Sequence, residues 1–127
     1  MAKLTGKGAR NKGLNYEREL IAYFKETLDL DVARGAAGSQ AFDIYKGSSD
    51  LYGLPRLAPE AKRTETFSLD SFMTQAIRNA TGDNMPLVIH RKSRQATGHS
   101  TVAIRLDDFA VIYDAFLRYH GFKPDDR

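Results

Sequence analysis

Ser48-Ser49-Asp50-Leu51-Tyr52-Gly53-Leu54-Pro55-Arg56-Leu57-Ala58-Pro59-Glu60-Ala61-Lys62-Arg63 is the stretch around which this chain is organised. It carries Asp50, then nine residues, then Glu60-Ala61-Lys62. Side chains alternate across a strand, so Glu60 and Lys62 share one face while Ala61 points to the other. If Asp50 lies on a neighbouring strand joined to Glu60 by the turn at Gly53 and Pro55, two carboxylates and an ammonium converge on one spot. Carboxylate oxygens are hard ligands suited to magnesium, and a lysine beside such an ion can hold or help deprotonate a water. That is equipment for hydrolysing a phosphodiester. The same spacing also arises on a solvated strand end with a same-face charge pair, so the rest of the chain has to separate the two.

With 127 residues, the chain is expected to form one domain that buries about two-thirds of its unfolded surface. A 42% hydrophobic content fits a soluble globule, and no apolar run reaches membrane-spanning length. No secretory leader opens the chain, so a cytoplasmic protein is expected. The absence of cysteine excludes disulfides, thiol catalysis and thiolate zinc sites. The net charge is only +3, yet its placement is informative. Lys3, Lys7, Arg10, Lys12 and Arg18 crowd the start, and His90, Arg91, Lys92 and Arg94 form a second cluster. Both suit an anionic polymer, and either alone also reads as solvated surface.

Residues 1–13 have three glycines, four basic residues and little to bury, so they are expected to form a flexible basic arm. A first helix is expected from Asn15 to Leu28. With Glu17 at angular zero, Leu20, Ile21, Phe24 and Leu28 fall within about 60° of it. Glu17 therefore faces inward and Glu19 the other way. An inward carboxylate needs a cation: a metal, Lys62, another basic side chain, or the helix dipole. Asp31–Arg34 reads as a short strand leading into the small-residue loop 35–40, where Ser39 and backbone amides suit close approach to a phosphate. Asp43, in Phe42-Asp43-Ile44, is the rival to Asp50. Ser68 caps a second helix with Leu69, Phe72, Met73, Ala76, Ile77 and Ala80 on its apolar stripe, and Gln75 lies off that stripe. Pro86–Ile89 and Thr101–Leu106 read as strands. Asp107 or Asp108 caps a last helix, with Phe109, Ile112, Tyr113, Phe116 and Leu117 at core spacing, before a polar tail over 121–127. His90, His99 and His120 share no metal-ligand spacing and read as surface or DNA-facing.

The expected order is αβββαββα: an α/β domain over 14–120 with a small mixed five-stranded sheet flanked by helices. That order, with an acid on the first helix and Asp…Glu-x-Lys on the middle strands, resembles the restriction-endonuclease-like PD-(D/E)XK nuclease superfamily. Within it, Gly13-Leu14-Asn15-Tyr16-Glu17-Arg18-Glu19-Leu20, Arg34-Gly35 with Gly38-Ser39, Ser49-Asp50-Leu51-Tyr52-Gly53 and Glu60-Ala61-Lys62-Arg63 resemble archaeal and phage Holliday junction resolvases. Gln75-Ala76, Pro86–Lys92 and Asp108-Phe109 resemble segments of phage and bacterial members. Three departures stand out: Pro59 before Glu60, where the family has an aliphatic residue, Ser49 in place of a proline before Asp50, and a slightly long stretch between Ser39 and Asp50.

The resemblance implies a catalytic set of Glu17, Asp50, Glu60 and Lys62. Mg²⁺ (with Mn²⁺ substituting) would be held by Asp50, Glu60, the Ala61 carbonyl and Glu17. Arg34, Ser39 and Gln75, with basic Lys7, Arg10, Lys12, Arg91 and Lys92, would contact DNA. It also implies a branched-DNA substrate, a four-way junction, and a twofold homodimer, because two symmetric nicks need two sites. Exposed apolar residues on the last helix, or Phe67 and Leu69, are the candidate interface. No small-molecule cofactor and no membrane are expected. The competing readings are a flap or nicking nuclease of the same fold and a non-catalytic DNA-binding module.

Overall fold

Alternation along two central strands sets the layers. In the computed structural model, which describes residues 6–35 and 49–125 (for Gly6, Lys7 and Ala9 the backbone alone), β3 (Leu57–Arg63) and β4 (Met85–Arg91) run parallel with Glu60 opposite Val88. Leu57, Ala61, Leu87 and Ile89 face α1 (Gly6–Leu28) and join Tyr16, Leu20, Phe24 and Ile21 in the main core. The intervening residues, Ala58, Glu60, Lys62, Val88 and His90, face the layer of α2 (Leu69–Asn79), whose Ala76 is fully buried. β4 is therefore covered on both faces and reads as a continuous apolar run that ends in two polar residues.

The remaining elements are β1 (Ala33–Arg34) paired antiparallel to β2 (Leu51–Tyr52), a 3₁₀ turn at Thr97–His99, β5 (Thr101–Ile104) antiparallel to β4, and α3 (Leu106–Tyr119). The protein is α/β with three helices among the described residues and two small sheets, β1-β2 and β3-β4-β5. The expected single five-stranded sheet is not formed among these residues. Asp50 explains the break. Its amide donates to the Pro59 carbonyl at 3.1 Å, but the next amide on β3, that of Ala61, donates to the Asp50 carboxylate at 2.8 Å and not to a strand carbonyl. A side chain thus stands where the ladder would continue.

This also accounts for Pro59. It lies inside β3, not before it, and β3 is the edge strand of its sheet. The N–H and C=O of one strand residue open to the same side, so the missing donor of Pro59 falls on the broken edge and costs no ladder bond. Gly53 turns the chain with φ +108, as its position between Asp50 and Glu60 requires. Gly35 is buried against Tyr52 and the Ser49 carbonyl, where any Cβ would collide.

Several element limits depart from expectation. α1 starts at Gly6, nine residues early, and so takes in the second half of the segment expected as a flexible arm. Lys12 on this extension reaches Glu65, just past β3, at 3.5 Å. Ser68 stands at the N-cap of α2 without a side-chain cap bond; its carbonyl instead accepts from the Phe72 amide. Arg105 is the N-cap of α3, which places Asp107 and Asp108 in the first turn. α3 departs most. Its Phe109, Ile112, Tyr113 and Phe116 are 43–51% exposed, so the apolar stripe expected in the core lies uncovered. The period of a helix shows which face is apolar, but not what covers it. No helix among the described residues is long and apolar enough to cross a membrane.

Candidate active site

Asp50 sits on a bend before β2 and ties both sheets together. Its carbonyl accepts from the Gly35 amide at 2.9 Å, while its amide and carboxylate engage Pro59 and Ala61 of β3. The carboxylate is thereby fixed at the open edge of β3, next to Glu60.

Glu60 has no solvent exposure. Its Oε1 accepts from Asn79 Nδ2 at 2.9 Å, whereas Oε2 is buried without any donor. Burial, then the negative charge of Asp50, pushes the Glu60 carboxyl up to about 8; the Asn79 hydrogen bond and the Lys62 ammonium pull it the other way. A proton retained on Glu60 meets the need of Oε2 by letting it donate toward Asp50. A cation would meet it equally well.

Lys62 shares the α2-facing side with Glu60, as alternation requires. Its Nζ donates to Gln75 Oε1 at 2.6 Å and lies 5.5 Å from the centre of the Phe72 ring. Gln75 and Asn79 are four residues apart on α2 and so stand on one helical face. That face delivers an acceptor to Lys62 and a donor to Glu60.

Glu17 approaches from the α1 layer. It is buried, as its place on the apolar stripe requires, and the cation it meets is Arg34, whose Nε donates to Glu17 Oε1 at 3.1 Å. Burial first and then the Asp50 charge raise its carboxyl above the usual range, partly offset by Arg34. Asp50 is thus felt by both other acids, standing at the sheet edge between Glu17 in one layer and Glu60 in the other. Among the described residues, however, no three His, Asp or Glu side chains are gathered tightly enough to cage a metal ion as they stand.

The fold therefore brings together Asp50, Glu60, Lys62 and Gln75, with Glu17 and Arg34 at their margin. Ser39 and Asp43 lie outside the described residues, as does the Lys7 side chain. Arg10 and Lys92 are exposed, and Lys12 is paired to Glu65. Arg91 is a correction. It is 5% exposed, pairs with Glu19 at 2.5 Å, lies over the Tyr16 ring at 5.3 Å and donates to the carbonyls of Lys92 and Gln95. A guanidinium so enclosed locks α1 to the end of β4 and is not available to DNA. His90 is also buried, packed 4.5 Å from Phe67 and bonded to the Thr64 carbonyl at 2.8 Å, contrary to its surface assignment. Both errors have one source, the double-sided burial of β4. His99 and His120 are exposed as expected. Sequence reasoning missed Asn79, although its four-residue offset from Gln75 was a usable signal.

Compared with protein-family models, curated proteins and solved structures, the chain gives no match.

Proposed function

We propose that this chain is a Mg²⁺-dependent, structure-selective DNA endonuclease of restriction-endonuclease-like architecture that resolves four-way junctions. The observation that carries the reading is the Asp50–Glu60 pair: two adjacent carboxylates, one with a buried oxygen lacking a donor, beside a lysine held by its own amide anchor. The donor set fits a hard divalent cation. It is all oxygen, it carries the charge that such an ion neutralises, and Glu60 Oε2 has a vacant lone pair inside the protein. Asp50, Glu60 and the Ala61 carbonyl would hold the ion, with Glu17 beside them. When bound, Mg²⁺ supplies polarisation of the phosphoryl oxygen and stabilisation of the leaving oxygen.

The chain's own residues do the rest. Gln75 fixes Lys62 Nζ, so the ammonium can orient the attacking water without a search over rotamers. Asn79 pins one oxygen of Glu60 and leaves the other free. Arg34 holds Glu17 in place and remains partly open to solvent, at 30% side-chain exposure, where a backbone phosphate could meet it. Exposed Arg10 and Lys92 add sequence-independent attraction for DNA.

The test is incubation with a labelled four-way junction, a flap and a linear duplex, with and without Mg²⁺ or Mn²⁺. Paired symmetric nicks in the junction alone support the full reading. Preferential flap cleavage moves the substrate class and keeps the site. Salt-sensitive binding with no metal-dependent cleavage of any substrate refutes the enzymatic reading in favour of a DNA-binding module.

A further inference from the structure

The turn Tyr52-Gly53-Leu54-Pro55-Arg56-Leu57, which carries the chain from β2 into β3, does more than return Asp50 to Glu60. With Asn84, just ahead of β4, it lines a concavity of about 240 Å³. None of these lining residues is acidic. Leu54, Pro55 and Leu57 supply apolar wall. The Tyr52 ring abuts the backbone of Gly35, where a Cβ would come within 2.3 Å of its Cε2, yet the residue stays 42% exposed. One edge of the ring is thus fixed and the rest is open, which makes a preformed stacking surface.

The polar groups of the hollow are few and unpaired. Arg56 stands at φ +69, left-handed backbone that an arginine seldom adopts. Two hydrogen bonds hold it there: the Met85 amide donates to the Arg56 carbonyl at 2.7 Å, and the Leu57 amide to the Leu54 carbonyl at 3.0 Å. The Tyr52 hydroxyl, the Arg56 guanidinium and the Asn84 side-chain amide have no hydrogen-bond or charge partner among the described residues. An apolar hollow with a few convergent polar groups on a fixed backbone is the pattern of a ligand site.

The chemistry of those groups selects the ligand. A ring face takes another planar ring, a primary amide pairs with the donor and acceptor edge of a base, and a guanidinium takes a phosphate. A nucleotide carries all three. The place in the chain agrees, because Tyr52 follows Asp50 by two residues, about 7 Å of extended backbone or one to two nucleotide steps.

We propose that this concavity receives the base of an unpaired nucleotide, stacked on Tyr52, with its edge bonded to Asn84 and its phosphate on Arg56. The inference rests on the nuclease reading and deepens it. It names what the protein selects in a branched substrate: the nucleotide beside the cut that the branch leaves unstacked, which costs least to draw out.

A nucleoside monophosphate tests this without metal and without cleavage. In heteronuclear NMR titration of the full wild-type chain, dAMP is expected to shift the backbone amides of Gly53, Leu54, Arg56 and Leu57 and the side-chain amide of Asn84. Deoxyribose 5-phosphate at the same concentration is expected to leave Asn84 unmoved. Tyr52→Ala should weaken dAMP binding about tenfold, whereas Tyr52→Phe, which keeps the ring face, should stay within about twofold of the wild type. Asn84→Ala, at an exposed position, should weaken it about fivefold. Shifts confined to other parts of the chain, equal shifts from the sugar phosphate, or wild-type affinity in Tyr52→Ala overturn the proposal. If Tyr52→Ala fails to fold, the wild-type and Asn84→Ala titrations decide. A null titration beside metal-dependent junction cleavage strikes this site and leaves the nuclease standing. Saturable dAMP binding with no cleavage of any DNA strikes the nuclease and leaves the nucleotide site standing.

Discussion

Replacing Glu60 by glutamine should make the protein more stable at alkaline pH, and the structure supplies the size and sign. The ordinary glutamate value is 4.5, and the folded protein raises it to about 8. Between those values the unfolded chain has lost the proton that the folded chain keeps. The stability linked to this group is thus fully present below 4.5 and is lost as pH rises through about 8. Each pH unit is worth about 1.4 kcal/mol, so the whole window sets an upper bound of about 4–5 kcal/mol. Relaxation and water entry at a sheet-edge site reduce this to an expected loss of about 2 kcal/mol. For a domain of this size that is a fall in Tm of about 6–10 °C between pH 5 and 8.5. Glu60→Gln keeps an oxygen for Asn79 and offers an N–H toward Asp50, so it removes the penalty without removing the contacts. Thermal unfolding of both proteins across pH should therefore show a steep decline in the wild type and a shallower one in the variant, with the variant ahead at pH 8.5. Added Mg²⁺ should recover the wild type at pH 8.5 and leave the variant unmoved. Parallel curves for the two proteins would refute the strained carboxylate pair as the source of the effect.

Gln75→Ala frees Lys62 from its anchor and is expected to lower the cleavage rate by about tenfold while leaving DNA affinity unchanged, read from single-turnover kinetics beside a binding titration. Asn79→Leu strips Glu60 of its donor and lets the carboxylate turn; calorimetric titration with Mn²⁺ should show weaker binding by about tenfold, in the range seen when the groups supporting metal ligands are removed. Arg91→Ala leaves a cavity against Tyr16 and Glu19 without its partner, costing about 2–4 kcal/mol in denaturant unfolding. Lys92→Ala, one residue on and exposed, should leave stability unchanged and lower the salt dependence of DNA binding by about one unit of slope.

The site was legible wherever local periodicity decides direction. Strand alternation put Glu60 and Lys62 on one face, the helical angle put Glu17 inside, and the same angle left Gln75 off the apolar stripe, facing what proved to be Lys62. Residues whose role depends on a distant partner were not legible. Glu17 needed a cation that local sequence cannot name, and Arg34, seventeen residues on, supplies it. Asn79 gave its offset from Gln75 but not the carboxylate above it.

What the amino-acid order determined by itself is the alternation and period of each segment, because those follow from backbone geometry: the elements, their apolar sides and the turn at Gly53. Only the tertiary structure decided how many layers close over each element. β4 is covered twice, so Arg91 and His90 became interior groups, whereas no described element packs extensively on α3, whose aromatic side stays about half exposed. The physical reason is that burial belongs to pairs of surfaces. A sequence specifies one surface at a time, and which two meet is settled by the packing of the whole chain.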